Sequence, residues 1–319
     1  MSTSDAPAPA PEPAAPAVAA SARPARLGVV ILPQQRWAQA QHTWRRAEEY
    51  GFDHAWTYDH LAWRSLADEP WFATVPLLAA AAAVTSRIRL GTWVASPNFR
   101  HPVPFAKDVM GLDDVAGGRF LLGIGAGGEG FDAGVLGAAP SRAERTRRFE
   151  EFVELLDRLL TQPVTDHEGE FYQAHGARMV PGTIARPRPP FVVAANGPRT
   201  MALAARFGQG WVTYGPTFDP GGADAVSRSA AQEKWWVGLA EMVARLREVS
   251  EPFGRTPDMY LNLDGAPLYS LGSADLLVEG VERAAALGFG DVVTHWPRAE
   301  GIYAGSERVM EEALSRLPG

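Results

Sequence analysis

Asp59 and His60 stand side by side, with Trp63 three residues on, directly after the short apolar run 53–58. A histidine titrates near neutrality, so it can donate to a developing anion or shuttle a proton. The adjoining carboxylate would orient it or cap the loop. Glu129 closes the glycine-dense loop that follows 119–124 and is a second candidate for acid–base work. Ala194, Ala195, Asn196 and Gly197 lead into Pro198 at a helix start, where free N–H groups and the helix dipole favour a phosphate. Arg199 lies one residue further in, placed to pair with that anion. Trp93 and Tyr214 supply flat apolar walls. An anion seat, aromatic walls and an acid–histidine pair together suit a flat, apolar, phosphorylated cofactor.

The elements that must position these groups alternate along the chain. Short apolar runs bounded by glycine or proline read as strands buried on both faces. They fall at 27–32, 53–58, 87–94, 119–124, 190–194, 210–213, 259–263 and 291–295. Between them lie helical patterns at 37–50, 71–85, 104–115, 141–160, 198–207, about 227–251, 273–287 and 306–317. Ser141 and Glu144 make a capping box at the start of the fourth helix. Eight strand–helix pairs predict an α/β protein, a (β/α)8 TIM barrel whose site is built on the loops after the strands. Irregular excursions at 161–190 and 214–227 read as insertions after the fourth and sixth strands, and Phe171-Tyr172 as part of a small hairpin or lid. His295 and Trp296 follow the last strand, and His295 is expected to face the mouth, whereas His101, before Pro102, is expected to be structural. Residues 1–25, almost wholly Ala, Pro and Ser, are expected to be a disordered tail, leaving 26–319 as the folded domain.

Several functions are excluded. Gly123, Gly125 and Gly128 satisfy the dinucleotide fingerprint, but loop follows Gly128 where a helix is required, and Glu144 and Glu150 sit in a helical pattern. No metal-ligand spacing and no nucleophile elbow occurs, so no metal and no serine hydrolase is expected. With 319 residues and a formal charge of −7, neither nucleic acid nor an anionic membrane is the expected partner. No apolar run is long enough to span a bilayer, and a soluble, cytoplasmic protein acting on a small molecule is expected.

The stretches 47–60, 85–92, 100–107, 112–127, 193–198 and 204–211, in that order, resemble the bacterial luciferase-like superfamily of flavin- and deazaflavin-dependent oxidoreductases. The resemblance covers essentially everything from Arg26 onward. It implies a (β/α)8 barrel with insertions, and it carries the family's aspartate–histidine onto Asp59 and His60, near the reactive edge of the flavin. A bulge with a non-prolyl cis peptide behind the ring would fall at Trp93–Val94. The fourth-strand loop falls on Ala126, Gly127 and Gly128, and the phosphate loop on Ala194, Ala195, Asn196 and Gly197. The glutamate that acts on substrate in deazaflavin relatives falls nearest Glu129, displaced by one extra glycine, and their tryptophan falls nearest Trp63, one residue early. What the resemblance implies is a monooxygenase using reduced FMN, supplied by a separate reductase, with O2. The alternatives are hydride transfer with the deazaflavin coenzyme F-420, with His60 and Glu129 moving protons, and a non-catalytic flavin-binding barrel. A homodimer is also implied.

Overall fold

The structure is a computed structural model and describes residues 25–128, 131–217 and 225–317. Eight parallel strands close into a barrel: β1 (Arg26–Val30), β2 (His54–Thr57), β3 (Arg89–Thr92), β4 (Phe120–Gly125), β7 (Phe191–Ala194), β8 (Gly210–Thr213), β9 (Asp258–Asn262) and β10 (Asp291–His295). Going round, β1 neighbours β2 and β10, and β4 neighbours β3 and β7. The expected (β/α)8 fold is therefore present. Each strand pairs in register with the next, for example His54 with Arg89 and Val193 with Trp211.

The helices that cover the barrel are α1 (Trp37–Glu49), α2 (Thr74–Val84), α3 (Pro102–Val115), α5 (Arg142–Thr161), α6 (Pro198–Phe207), α7 (Ala225–Ser250), α8 (Ala274–Leu287) and α9 (Glu307–Arg316). A further short helix, α4 (Phe131–Val135), sits in the loop after β4. Local chemistry sets their starts. The Ser141, Ser273 and Ser306 hydroxyls each accept a backbone N–H in the first turn of α5, α8 and α9. His101 does the same for α3 by accepting the Val103 N–H, so α3 begins two residues before the expected 104. The cap is a histidine, and for that reason its sequence signal was weak.

Two apolar layers hold the molecule together. One lies between strands and helices and includes Trp44, Phe105, Phe152 and Trp211. The other fills the barrel interior with Val30, Trp56, Trp93, Leu121, Val212 and Tyr260. Gly91 makes room for the inner layer, because a Cβ there would stand 2.4 Å from the Trp56 ring.

The excursion after α5 contains an antiparallel hairpin, β5 (Thr165–Glu168) and β6 (Gln173–Ala177). Phe171-Tyr172 forms its turn region, clasped by Glu151, whose carboxylate accepts both backbone N–H groups at 2.9 Å. Of the second excursion, Tyr214 to Thr217 are described and 218–224 lie outside the described residues. The expected tail lies outside them too, except for Ala25, which is buried.

Candidate active site

The C-terminal ends of the strands surround two contiguous cavities of about 800 and 590 Å³. They share Ala126, Gly127, Gly128, Ala194, Asn196 and Tyr214. Aromatic walls from Tyr58, Trp63, Trp93, Tyr214 and Tyr303 bound the larger one. The smaller lies at the N-terminus of α6 and is lined by Arg142, Arg145 and Arg199 with the hydroxyls of Thr146 and Thr200.

The wall below the larger cavity is made where β3 ends. The Trp93–Val94 peptide is cis, at the position the resemblance indicated. The chain then returns to the sheet, with the Ala95 N–H donating to the Gly123 carbonyl and the Gly125 N–H to the Ala95 carbonyl. Trp93 packs on Trp56 at 4.7 Å between centroids. The loop after β4 approaches closely because Gly127 has φ +72°, and a Cβ there would stand 2.4 Å from the Asn98 amide. That amide donates to the Gly128 carbonyl at 3.2 Å and accepts from Arg148 at 2.9 Å, so the loop is tied to α5.

All ten residues expected to hold a cofactor line these cavities. Trp93, Val94, Ala126, Gly127, Gly128, Ala194 and Asn196 line the larger one. Ala195, Gly197 and Arg199 line the smaller one. Two of them also have structural work. Asn196 accepts from the Thr213 hydroxyl at 2.8 Å, and Arg199 makes a bidentate pair with Glu150 at 3.0 and 2.6 Å. Arg199 therefore reaches an anion only as one member of an ion-paired rim, and Arg142 and Arg145 are the cationic groups that sequence reasoning missed.

The expected catalytic residues separate. His60 lines the larger cavity, with its ring 4.7 Å from Trp63. Its Nδ1 meets not Asp59 but Asp132, at 2.6 Å from Oδ2. The other Asp132 oxygen accepts the Leu61 N–H at 2.7 Å, fixing the loop that carries the histidine. Trp71 Nε1 donates to the His60 carbonyl at 2.9 Å, which fixes the loop again. Among the described residues His60 Nε2 has no hydrogen-bond partner, so it is the nitrogen available to the cavity. Asp59 is 1% exposed and accepts two hydrogen bonds from Arg100, at 2.6 and 3.1 Å. The structure thus gives Asp59 a buried ion pair below the loop and gives the orienting role to Asp132. Glu129 lies outside the described residues. His295 is fully buried and meets the cavity through Tyr58, Tyr303 and Asp264, and Trp296 stacks on Tyr50 away from it.

Burial pushes the Tyr303 phenol up to about 12 and raises Tyr58 and Tyr214 as well, so these groups are neutral donors and acceptors around neutral pH. Among the described residues no cluster of side chains could hold a metal, and no helix is long and apolar enough to cross a membrane. Guanidinium, hydroxyl and helix N–H donors at one end, and aromatic rings with glycine backbone at the other, fit a flat ring system that carries a phosphate on a tether.

Comparison with known proteins agrees with that geometry. The pattern of the luciferase-like monooxygenase family matches residues 16–234. An F420-dependent glucose-6-phosphate dehydrogenase of Beutenbergia cavernae is 31% identical over 316 residues, covering 85% of this chain and 90% of that one. The 4-hydroxyprotoasukamycin monooxygenase of Streptomyces nodosus subsp. asukaensis is 34% identical over 194 residues, covering 58% and 48%. Over most of the curated relatives it matches, the chain spans about half of their length, for example 51%. Among solved structures, the monooxygenase RslO1 of Streptomyces bottropensis superposes with a TM-score of 0.70 at 22% identity, over 91% of this chain and 98% of that one. In barrel and sequence pattern alike, the chain belongs to the luciferase-like family of flavin- and deazaflavin-dependent oxidoreductases.

Proposed function

We propose that this protein exchanges a hydride between an organic substrate and the deazaflavin coenzyme, without oxygen, and that His60 is the proton-transfer group at the coenzyme. The observation that carries the reading is the His60–Asp132 pair, at 2.6 Å, on the wall of the aromatic cavity. A buried carboxylate on Nδ1 fixes the tautomer and stabilises the ring when Nε2 takes a proton. The pair is therefore built to hold and release a proton at one atom facing the cavity. The near full-length similarity to an F420-dependent dehydrogenase supports the same choice of coenzyme.

When bound, the deazaflavin supplies a two-electron hydride acceptor or donor. The chain does the rest. Arg142, Arg145 and Thr200 would hold its phosphate-bearing tail at the α6 N-terminus. Trp93, Val94 and the glycine loop would seat its ring, and Trp63 and Tyr214 would keep water from the reacting edge. A second reading, oxygenation with FMN reduced by a separate flavin reductase, is favoured by the 34% identity to a monooxygenase.

Anaerobic and aerobic turnover separate the two. Reduction of the deazaflavin band at equal rates with and without air, and a loss of about 10²–10⁴-fold in kcat in His60→Ala, support the proposal. Oxygen uptake stoichiometric with product in the presence of reduced FMN, with no deazaflavin turnover, would overturn it.

A further inference from the structure

A second set of titratable groups borders the cavity, at the end of β10 and on the loops after β2, β9 and β10, and the His60–Asp132 pair does not use it. Asp264 and His295 are each 1% exposed at the side chain. Asp264 Oδ2 accepts both the His295 backbone N–H, at 2.7 Å, and a hydrogen bond from His295 Nδ1, at 2.8 Å. Its Oδ1 accepts the Ser270 N–H at 3.0 Å. A carboxylate that accepts several N–H bonds leaves Nδ1 as the protonated nitrogen of a neutral His295. His295 Nε2 is then an acceptor, 2.8 Å from the Tyr58 hydroxyl. With its own proton so directed, the Tyr58 oxygen can accept from Tyr303, 3.1 Å away. With that tautomer the bonds run one way, from Tyr303 through Tyr58 and His295 to Asp264, which borders the same cavity.

Tyr303 is held for this position. Its backbone has φ +61°, a conformation that a residue with a side chain rarely adopts, and its ring lies flat on the His295 imidazole at 3.7 Å and 10°. An aromatic face at that distance stabilises an imidazolium, as does the carboxylate behind it. Because burial keeps both phenols neutral, a proton entering at Tyr303 comes to rest on His295. The other titratable groups facing His295 are few: Tyr269 donates its hydroxyl to the His295 carbonyl at 2.8 Å, and the Arg64 charge acts on Tyr303 and Tyr214.

We propose that Tyr303, Tyr58, His295 and Asp264 are a second proton-transfer chain, which takes the hydroxyl proton of an alcohol held against Tyr303 while the carbinol carbon gives up its hydride. The inference rests on the deazaflavin reading and deepens it by naming the substrate class. The O–H and C–H bonds of the carbinol break and its C–O bond becomes a carbonyl. The hydride, with its electron pair, goes to the oxidised deazaflavin. The proton passes to the Tyr303 oxygen, the Tyr303 proton to Tyr58, and the Tyr58 proton to His295 Nε2. Tyr303 touches the substrate, whereas His295 and Asp264 act through the tyrosines.

The wiring is testable without turnover. In ¹⁵N-histidine spectra of the full chain at about pH 8, His295 should show a protonated Nδ1 and a bare Nε2, and Tyr58→Phe should move the His295 Nε2 resonance while leaving that of His60 in place. A neutral ring protonated at Nε2 overturns the proposal. In turnover of the coenzyme with propan-2-ol and glucose 6-phosphate as probes, Tyr58→Phe and Tyr303→Phe should each lower kcat about tenfold or more with coenzyme affinity unchanged. Both should also lose the acid limb of the kcat profile. Coenzyme bound and reduced as before, with kcat and acid limb unchanged in both variants, overturns the relay alone. Failure of the wild-type chain to bind deazaflavin overturns the relay together with the coenzyme reading.

Discussion

Replacing Glu48 by glutamine should make the barrel less stable at neutral pH and almost equally stable in acid. Glu48, on α1, closes the turn before β3. Its carboxylate accepts the backbone N–H groups of Ser86, Arg87 and Ile88 at 2.9, 2.6 and 2.9 Å, and the Ser86 hydroxyl at 3.1 Å. Burial pushes this carboxyl up, but the bonds from Ile88, Arg87 and Ser86 outweigh it and bring it from 4.5 down to about 2. At about 1.4 kcal/mol per pH unit that depression is worth roughly 3 kcal/mol, and partial exposure trims it to about 2. Because the folded value lies below the unfolded one, the stabilisation is complete above about 4.5 and fades as pH falls toward about 2. Glutamine is isosteric and its oxygen can accept the same N–H groups, so the change removes charge and little else. Urea unfolding of both proteins, from neutrality down to the acid limit of the native state, is the assay. A gap of about 2 kcal/mol at neutral pH that narrows steadily in acid is expected. A gap that is absent at neutral pH, or constant across the range, refutes the reasoning.

Further predictions concern the site and its supports. Asp132→Asn removes the charge behind His60 but can keep the Leu61 contact; with both partners well buried, kcat should fall about 10–100-fold, from a loss of roughly 1.5–3 kcal/mol, while coenzyme affinity stays within about twofold. An unchanged kcat would count against the pair. Arg100→Met leaves the Asp59 carboxylate buried and unpaired, and should cost about 3–5 kcal/mol in urea unfolding; a loss below about 1 kcal/mol would show that Asp59 is not held as an ion pair. Gly127→Ala forces a side chain onto a φ of +72° and into Asn98. Coenzyme binding should weaken by tenfold or more with the melting temperature little changed, and equal affinity would remove the loop from the binding surface.

The barrel was legible because parallel strands buried on both faces are written as contiguous apolar runs, and eight of them alternate with amphipathic helices. Positions contributed by a single strand end were legible for the same reason: Trp93, the glycine loop and Asn196 follow their strands directly, so placing the strand places the residue. Partnerships were less readable. His60 and Asp132 are 72 residues apart, and Asp59, next to His60 in the chain, points to Arg100, because successive residues leaving a strand face opposite ways. The Tyr58–His295–Asp264 run joins three different strands, and only closure of the barrel brings them together. Tyr303 lies on a loop with no apolar periodicity and left no signal beyond being a tyrosine. The choice of coenzyme was also weakly written, since ring, phosphate seat and cis-peptide wall suit a flavin and a deazaflavin alike.

Equilibrium titration of the purified chain with the oxidised deazaflavin coenzyme and with FMN, oxidised and reduced, followed by fluorescence, tests the central claim most directly. The account predicts saturable deazaflavin binding at least tenfold tighter than FMN in either redox state, weakened when Arg142 and Arg145 are replaced by methionine. Tighter binding of reduced FMN, accompanied by oxygen uptake, would contradict it.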